Sequence, residues 1–143
     1  MLESLEGVTF DDMISIKEGI SIIGDEESFL ANLKYYADAF VNEVKIVHNE
    51  WLKQEVTGCY KTAHAFKGNT SYACCMPLLK ALAGYNINCK NGNLAEANKD
   101  YRQVLIEIRK TALVLKQKYG SPQELEYFDQ ICRKNLAQSL RPI

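Results

Sequence analysis

Two long runs of apolar residues, spaced three and four positions apart, limit the fold of this 143-residue chain more than any other feature. The first run contains Phe29, Leu33, Tyr36, Phe40, Val44, Val47 and Trp51. The second run contains Leu94, Ala97, Tyr101, Val104, Ile108, Thr111 and Leu115. Such spacing over more than twenty residues is typical of amphipathic helices that bury one face. The sequence therefore predicts two long helices, and each needs neighbouring helices against its apolar stripe.

Shorter helices are predicted around these two, and no segment alternates apolar and polar residues as a half-buried strand would. Thr9 is placed to cap a first short helix that ends at Gly24, and a break is expected near "KQEVTG". A third helix then covers roughly residues 56–74. Pro77 suits the first position of a fourth helix, which stops at "NGN".

The end of the chain adds one more helix. Gly120 ends the fifth helix, and a capping box then opens a last helix at about residues 122–138, formed by Ser121, Pro122 and Glu124. Long helices joined by short connections favour antiparallel neighbours. We therefore expect an all-α fold, an antiparallel four-helix bundle with a short N-terminal helix and an additional C-terminal helix.

Length and composition fit a single soluble domain over residues 1–143, with 47% hydrophobic and 24% charged residues. The net charge of −1 provides no basic field that would attract nucleic acid or an anionic membrane. No apolar run is long enough to cross a bilayer, and the first residues lack the features of a signal peptide. We therefore expect a cytoplasmic protein that binds neither nucleic acid nor membranes.

The sequence offers no candidate site for a metal or a cofactor. Its five cysteines form no CxxC pair and no Cys/His metal spacing, and their odd number fits reduced thiols. No GxxxxGK[ST] run is present to cradle a nucleotide phosphate, which argues against an ATP-dependent kinase. The adjacent Cys74 and Cys75 could suggest redox control, but buried structural thiols are the favoured interpretation.

The stretch "AHAFKGNTSY", residues 63–72, separates two faces of the third helix. At about 100° per residue, the apolar stripe contains Cys59, Ala63, Phe66, Thr70 and Ala73. The opposite face points to solvent and carries His64, Lys67, Gly68 and Ser71. Tyr60 lies one turn before His64. A glycine inside a helix costs about 1 kcal/mol relative to alanine, so its place one turn after the histidine needs a reason.

These residue types suit a histidine that transiently carries a phosphoryl group. An exposed imidazole offers a nucleophilic nitrogen at neutral pH. Gly68 leaves space for another molecule to approach closely, and Lys67 can place its ammonium near an anion held on the ring. Tyr60 and Tyr72 flank this face on the helical wheel. Three other aromatic residues are expected in the core: Tyr35, Tyr36 and Trp51.

The second histidine, His48, has Val44 and Trp51 as same-side neighbours. A lone histidine in such surroundings is more often structural than catalytic. We therefore predict that His48 lies at the edge of the bundle and takes no part in chemistry.

The segment "AHAFKG" resembles the signature of histidine-containing phosphotransfer (HPt) domains, in which an apolar residue, a lysine and a glycine follow the histidine at fixed offsets. The likeness extends to the acidic start "GDEESFL", to Phe40 in the preceding helix and to "NGNLAEANKDYRQVLIEI" after the fourth helix. It covers about residues 8–118 and leaves the C-terminal helix as an addition.

The resemblance implies a four-helix bundle whose His64 accepts a phosphoryl group from an aspartyl phosphate on a receiver domain and passes it to another receiver. It also implies that Lys67 stabilises the phosphorylated ring and that Gly68 makes room for the receiver. The candidate partner contacts are Tyr60, Ser71 and Tyr72. The implied partners are response-regulator receiver domains and a hybrid sensor histidine kinase, and the Mg²⁺ belongs to the receiver. We expect a monomer, and a eukaryotic source would add shuttling into the nucleus.

Two features depart from the family pattern and leave a second function open. HPt domains usually carry a second glycine ten residues after the histidine, where this chain has Cys74 preceded by Ala73. This change affects the turn into the fourth helix more than the chemistry. Together with the additional C-terminal helix, it leaves open a non-catalytic HPt-like adaptor that binds receiver domains or other signalling proteins without phosphorylation.

Overall fold

The computed structural model describes residues 5–120 and 125–139, and these residues form seven α-helices and no strand. The helices are α1 (Phe10–Met13), α2 (Ile16–Ile23), α3 (Glu26–Lys53), α4 (Val56–Tyr72), α5 (Met76–Lys90), α6 (Leu94–Tyr119) and α7 (Leu125–Ser139). The all-α class predicted from the sequence is thereby confirmed. The predicted capping box lies outside the described residues, since these include none of Ser121, Pro122 and Glu124.

The two long helices form where the apolar spacing predicts them, with 28 residues in α3 and 26 in α6. All seven predicted apolar positions of α3 are buried, as are six of the seven in α6. Leu94, the first residue of α6, is half-buried. After Trp51, the chain leaves α3 at Gln54, whose φ of 56° is left-handed and whose Nε2 donates to the Trp51 carbonyl at 2.7 Å. This is the break predicted near "KQEVTG".

The N-terminal segment forms two helices instead of the single one predicted between Thr9 and Gly24. Thr9 caps α1 as predicted, but the chain becomes extended at the buried Ile14, and Ser15 caps a second helix, α2. The Ser15 N–H donates to the Cys74 carbonyl at 3.1 Å. The prediction of one helix was wrong because this bond to a distant turn takes the Ser15 N–H out of the helical ladder. Local periodicity carries no information about such a bond.

Each helix from α2 onward lies against the next one in the chain, and aromatic rings join three of them. The ring centroid of Phe40 in α3 lies 5.9 Å from that of Phe66 in α4 and 5.8 Å from that of Phe128 in α7. Ile131 and Cys132 of α7 are buried together with Phe128. The additional C-terminal helix therefore contributes to the same apolar core as the other helices.

The turn between α4 and α5 is built on Cys74, which stands where the HPt pattern has a glycine. Its φ of 54° is left-handed, a conformation in which a Cβ is unfavourable and glycine is not. The Cys74 N–H donates to the Ser71 carbonyl at 3.2 Å. The turn therefore has the backbone that a glycine would favour, although the side chain is different. Pro77 follows as the second residue of α5, one position later than predicted.

The two adjacent thiols at this turn are buried, and burial raises the pKa of both Cys74 and Cys75 above that of a free thiol. A thiol held in its protonated form is a poor nucleophile and reacts slowly with oxidants. The favoured interpretation, buried structural thiols, agrees with the structure, in which all five cysteines are free and buried.

The prediction that His48 lies at the edge of the bundle was wrong, because only 8% of its surface is exposed. Its Nδ1 shares a 2.7 Å hydrogen bond with the Tyr101 hydroxyl. Its ring also stacks with those of Trp51 and Tyr101, at centroid distances of 5.7 and 5.9 Å. The tyrosine satisfies the imidazole, so that a polar side chain can occupy the core between α3 and α6. His48 has a structural role.

We predict that this buried histidine makes stability depend on pH. Burial, with a smaller contribution from Lys134, lowers the pKa of His48 below its ordinary value. As the pH falls from about 7 to about 5, the unfolded chain takes up a proton that the folded chain resists, so the free energy of unfolding decreases. In urea titrations, His48→Gln should lose this component of the pH dependence. His64→Gln is the control and should retain it, whereas parallel profiles for wild type and His48→Gln would contradict the assignment.

A second prediction concerns the left-handed turn. Cys74→Gly and Cys74→Ala both remove the buried sulfur, so their difference isolates the backbone conformation. Because the φ of residue 74 is left-handed, the glycine variant should be the more stable of the two by about 1 kcal/mol. Thermal or chemical unfolding measures this difference. An alanine variant as stable as the glycine variant would show that the turn relaxes to another conformation.

Candidate functional site

The two faces of α4 lie as the wheel predicts. The buried positions of the helix are Cys59, Ala63, Phe66 and Thr70. His64 and Gly68 are exposed, and Lys67 and Ser71 are half-buried. The predicted exposure of His64 is therefore confirmed.

Contacts on the buried face fix the rotation of α4 about its axis. The Phe66 ring stacks with the Tyr36 ring at a centroid distance of 6.4 Å, and Phe40 completes this aromatic cluster. The Tyr36 hydroxyl and the Thr70 Oγ1 share a buried hydrogen bond of 2.7 Å. Because Tyr36 and Phe40 both belong to α3, these contacts hold the histidine on the side of α4 that faces away from the core.

The imidazole of His64 lies against Tyr60, one turn earlier on the same helix. The two ring centroids are 5.6 Å apart and the rings are inclined by 29°. Tyr60 is half-buried and packs against the core, and its carbonyl accepts a hydrogen bond from Asn86 Nδ2 at 3.2 Å. Neither ring nitrogen of His64 is hydrogen-bonded to any of the residues that the structure describes. Tyr60, predicted as a partner contact, is thus positioned to orient the imidazole, whose nitrogens are left to solvent.

Among the residues that the structure describes, none packs so closely against Gly68 that a glycine is required there. A Cβ added at this position would meet nothing within 4 Å, whereas one added at Gly19 would lie 2.4 Å from the ring of Phe29. Gly19 is therefore required by its neighbour, and Gly68 is not. The surface one turn after His64 is open to solvent at the cost of helix stability.

The remaining predicted site residues have different surroundings. The Lys67 ammonium forms no ion pair with the described residues, so its charge is available to an anion. The Ser71 Oγ donates to the Gly68 carbonyl at 2.8 Å, so its proton is already used within the helix. Tyr72 is 59% exposed at the end of α4. The structure therefore places a nucleophilic ring, a cation and an exposed aromatic side chain along one surface of α4.

Sequence reasoning missed two residues beside this surface. Tyr35, which was expected in the core, is 79% exposed, and that prediction was wrong. Glu43 was not singled out, yet its Oε1 accepts a hydrogen bond from Asn69 Nδ2 at 2.5 Å. Both residues belong to α3, and their proximity to α4 depends on the relative rotation of the two helices, which neither sequence pattern contains.

Two further properties of the described residues bear on the site. They contain no group of three or more His, Cys, Asp or Glu side chains arranged to hold a metal ion. None of their helices combines the length and apolar character that a membrane span needs.

Comparisons with protein-family models, with curated proteins and with solved structures found no match to this chain. The likeness to HPt domains therefore rests on the quoted motifs, together with the arrangement of His64, Lys67 and Gly68 on α4.

Proposed function

We propose that this chain is a phosphorelay intermediate of the HPt type, in which His64 receives a phosphoryl group from a receiver-domain aspartate and passes it to another receiver. The observation that carries the proposal is an exposed imidazole beside an open glycine and a lysine that forms no ion pair with the described residues, on a helix whose other face is fixed in the core. In this proposal, α3 to α6 form the antiparallel four-helix bundle of that family, with α1 and α2 before it and α7 after it.

The chemistry follows from the solvent-facing ring. A lone pair on one imidazole nitrogen attacks the phosphorus of the aspartyl phosphate, and an N–P bond forms while the P–O bond to the aspartate breaks. The aspartate leaves as a carboxylate, and the proton of the other ring nitrogen passes to solvent. Transfer to the second receiver reverses these steps. The receiver supplies Mg²⁺, which neutralises charge on the phosphoryl oxygens.

Residues of this chain assist that transfer in three ways. Tyr60 holds the imidazole by stacking, so that little ring motion has to be lost when the receiver arrives. The Lys67 ammonium attracts the negative charge of the phosphorylated ring. Gly68 lets the receiver approach the ring without meeting a side chain. The protein is thus proposed to be a phosphoryl carrier, not an ATP-dependent kinase.

The proposed setting follows from the same chemistry. The partners are response-regulator receiver domains and the receiver domain of a hybrid sensor histidine kinase. Because these receiver domains would be met in the cytoplasm, we propose that the carrier is cytoplasmic. In a eukaryotic cell it would also enter the nucleus. One His64 surface per chain is sufficient for the relay, so we propose that the protein acts as a monomer.

We predict that incubation with phosphorylated receiver domains labels wild-type protein on His64. Phosphohistidine is recognised because the label is lost in acid and kept in base. His64→Gln should take up no label, since no other exposed imidazole is present among the described residues. Equal labelling of wild type and His64→Gln would refute the proposal. Receiver binding that survives in His64→Ala, with no label on the wild type, would instead identify the adaptor.

We also predict that Gly68→Ala makes the folded protein more stable but slows phosphoryl transfer. The substitution should increase the free energy of unfolding by about 1 kcal/mol, because alanine favours a helix and the new Cβ meets no neighbour. The same methyl should slow transfer from a phosphorylated receiver roughly tenfold by crowding the docked partner. Stopped-flow transfer and urea unfolding measure the two effects.

Gly84→Ala on α5 is the matched control for this prediction. A Cβ at residue 84 would lie at ordinary contact distance, 3.7 Å, from Asp100 on α6. This variant should gain stability in the same way and leave transfer unchanged. If Gly68→Ala transferred phosphate as fast as Gly84→Ala, steric access would not be the role of the glycine.

A further inference from the structure

A groove between α3 and α4 adjoins the His64 surface. The lining of this α3/α4 groove includes Asn32, Tyr35, Glu43, Asn69 and Tyr72, and its volume is about 200 Å³. Asn69 directly follows Gly68, and Tyr72 lies one turn after that glycine. Tyr72 also flanks the His64 face on the helical wheel, so a partner that docks on His64 and extends over Tyr72 would reach the groove.

The Glu43 carboxylate lies at the base of the groove, and the described residues do not balance its charge with enough hydrogen bonds or with a cation. Glu43 Oε1 accepts the hydrogen bond from Asn69, but Oε2 is buried and has no hydrogen-bond partner. No lysine or arginine among the described side chains forms an ion pair with Glu43. Burial raises the pKa of the Glu43 carboxyl, because the charged form loses water. A cation that approaches this carboxylate from outside the chain would favour its charged form.

The walls of the groove suit the same kind of ligand. Tyr35 and Tyr72 are 79% and 59% exposed, so their rings are available to a partner. Aromatic rings attract cations over their faces, and a guanidinium adds planar stacking and a forked set of donors for a carboxylate. Since the groove has aromatic walls and an acidic base, an arginine side chain fits it better than an apolar one.

We propose that the α3/α4 groove is a docking subsite that takes an arginine side chain from the receiver domain bound at His64. The guanidinium lies between Tyr35 and Tyr72, and the Glu43 side chain turns outward to accept its hydrogen bonds. The proposal rests on the proposed function for the identity of the partner. It assigns to Glu43 a role in partner affinity, and it leaves the chemistry to the imidazole.

The test measures, by isothermal titration, the Kd for a receiver domain. The receiver domain used is the one that transfers phosphate to the wild-type protein fastest. If no receiver domain transfers phosphate, the one that binds the wild-type protein most tightly is used. Glu43→Gln keeps the shape of the side chain and an acceptor for Asn69, and it should weaken binding roughly tenfold. Asp38→Asn on the same helix is the matched control, because Asp38 is exposed and pairs with Lys34. The control should bind as wild type does.

Two additional readouts assign the effect to the groove. Phosphoramidate, a small phosphoryl donor without a docking surface, should label Glu43→Gln and wild type at the same rate. Arginines on the receiver surface are then replaced by alanine one at a time. One replacement should weaken binding to wild type roughly tenfold and leave binding to Glu43→Gln unchanged, as a double-mutant cycle requires for two groups in contact.

The outcomes separate this inference from the proposed function. Tenfold weaker binding by Glu43→Gln supports the groove even where His64 takes up no phosphate, in which case only the relay proposal fails. Unchanged affinity of Glu43→Gln, with transfer intact in wild type, overturns the groove alone. Receiver domains that do not bind wild type at all overturn both.

Discussion

The rotation of α4 about its own axis determines which of its side chains face solvent. A helix buries one stripe, and the stripe of α4 is held by Phe66 among the α3 aromatics and by the 2.7 Å bond between Thr70 and Tyr36. A hydroxyl pair in the core is costly when broken, because each group would then be buried without a partner. A rotation of α4 that moved Thr70 away from Tyr36 would break this bond. The buried contacts of the helix therefore fix the exposure of the imidazole.

Two residues in or next to α4, Gly68 and Cys74, lower the stability of the fold, and they do so for different reasons. Gly68 weakens the middle of a helix although none of the described residues would contact a Cβ there. Cys74 takes a left-handed φ that glycine would adopt more easily. At Gly68, the proposed approach of a partner would account for the cost. At Cys74, the sulfur is buried and the Cys74 carbonyl accepts the Ser15 N–H, so packing and a long-range hydrogen bond offset the strained turn.

The sequence correctly predicted the features that are determined within a single helix. Apolar spacing placed α3 and α6 and their buried stripes, and the wheel placed His64 on the outside of α4. It failed where two segments meet. The break at Ser15 depends on a bond to the turn after α4, and the burial of His48 depends on the hydroxyl that Tyr101 supplies from α6. The groove around Glu43 depends on how α3 and α4 face each other, so no pattern in either helix could show it.

The C-terminal helix, α7, packs in the core and leaves the exposed surface of α4 uncovered. Phe66, Phe40 and Phe128 form a continuous row of ring contacts from α4 through α3 to α7, so α7 belongs to the structure that supports α4. His64 is exposed with α7 in place, which means that this helix completes the core without covering the site. The side chains that stabilise α4 and those that face a partner belong to the same helix but are different residues. Because of this division, substitutions at His64 and Gly68 change the exposed surface of α4 and leave intact the contacts that hold the helix in place.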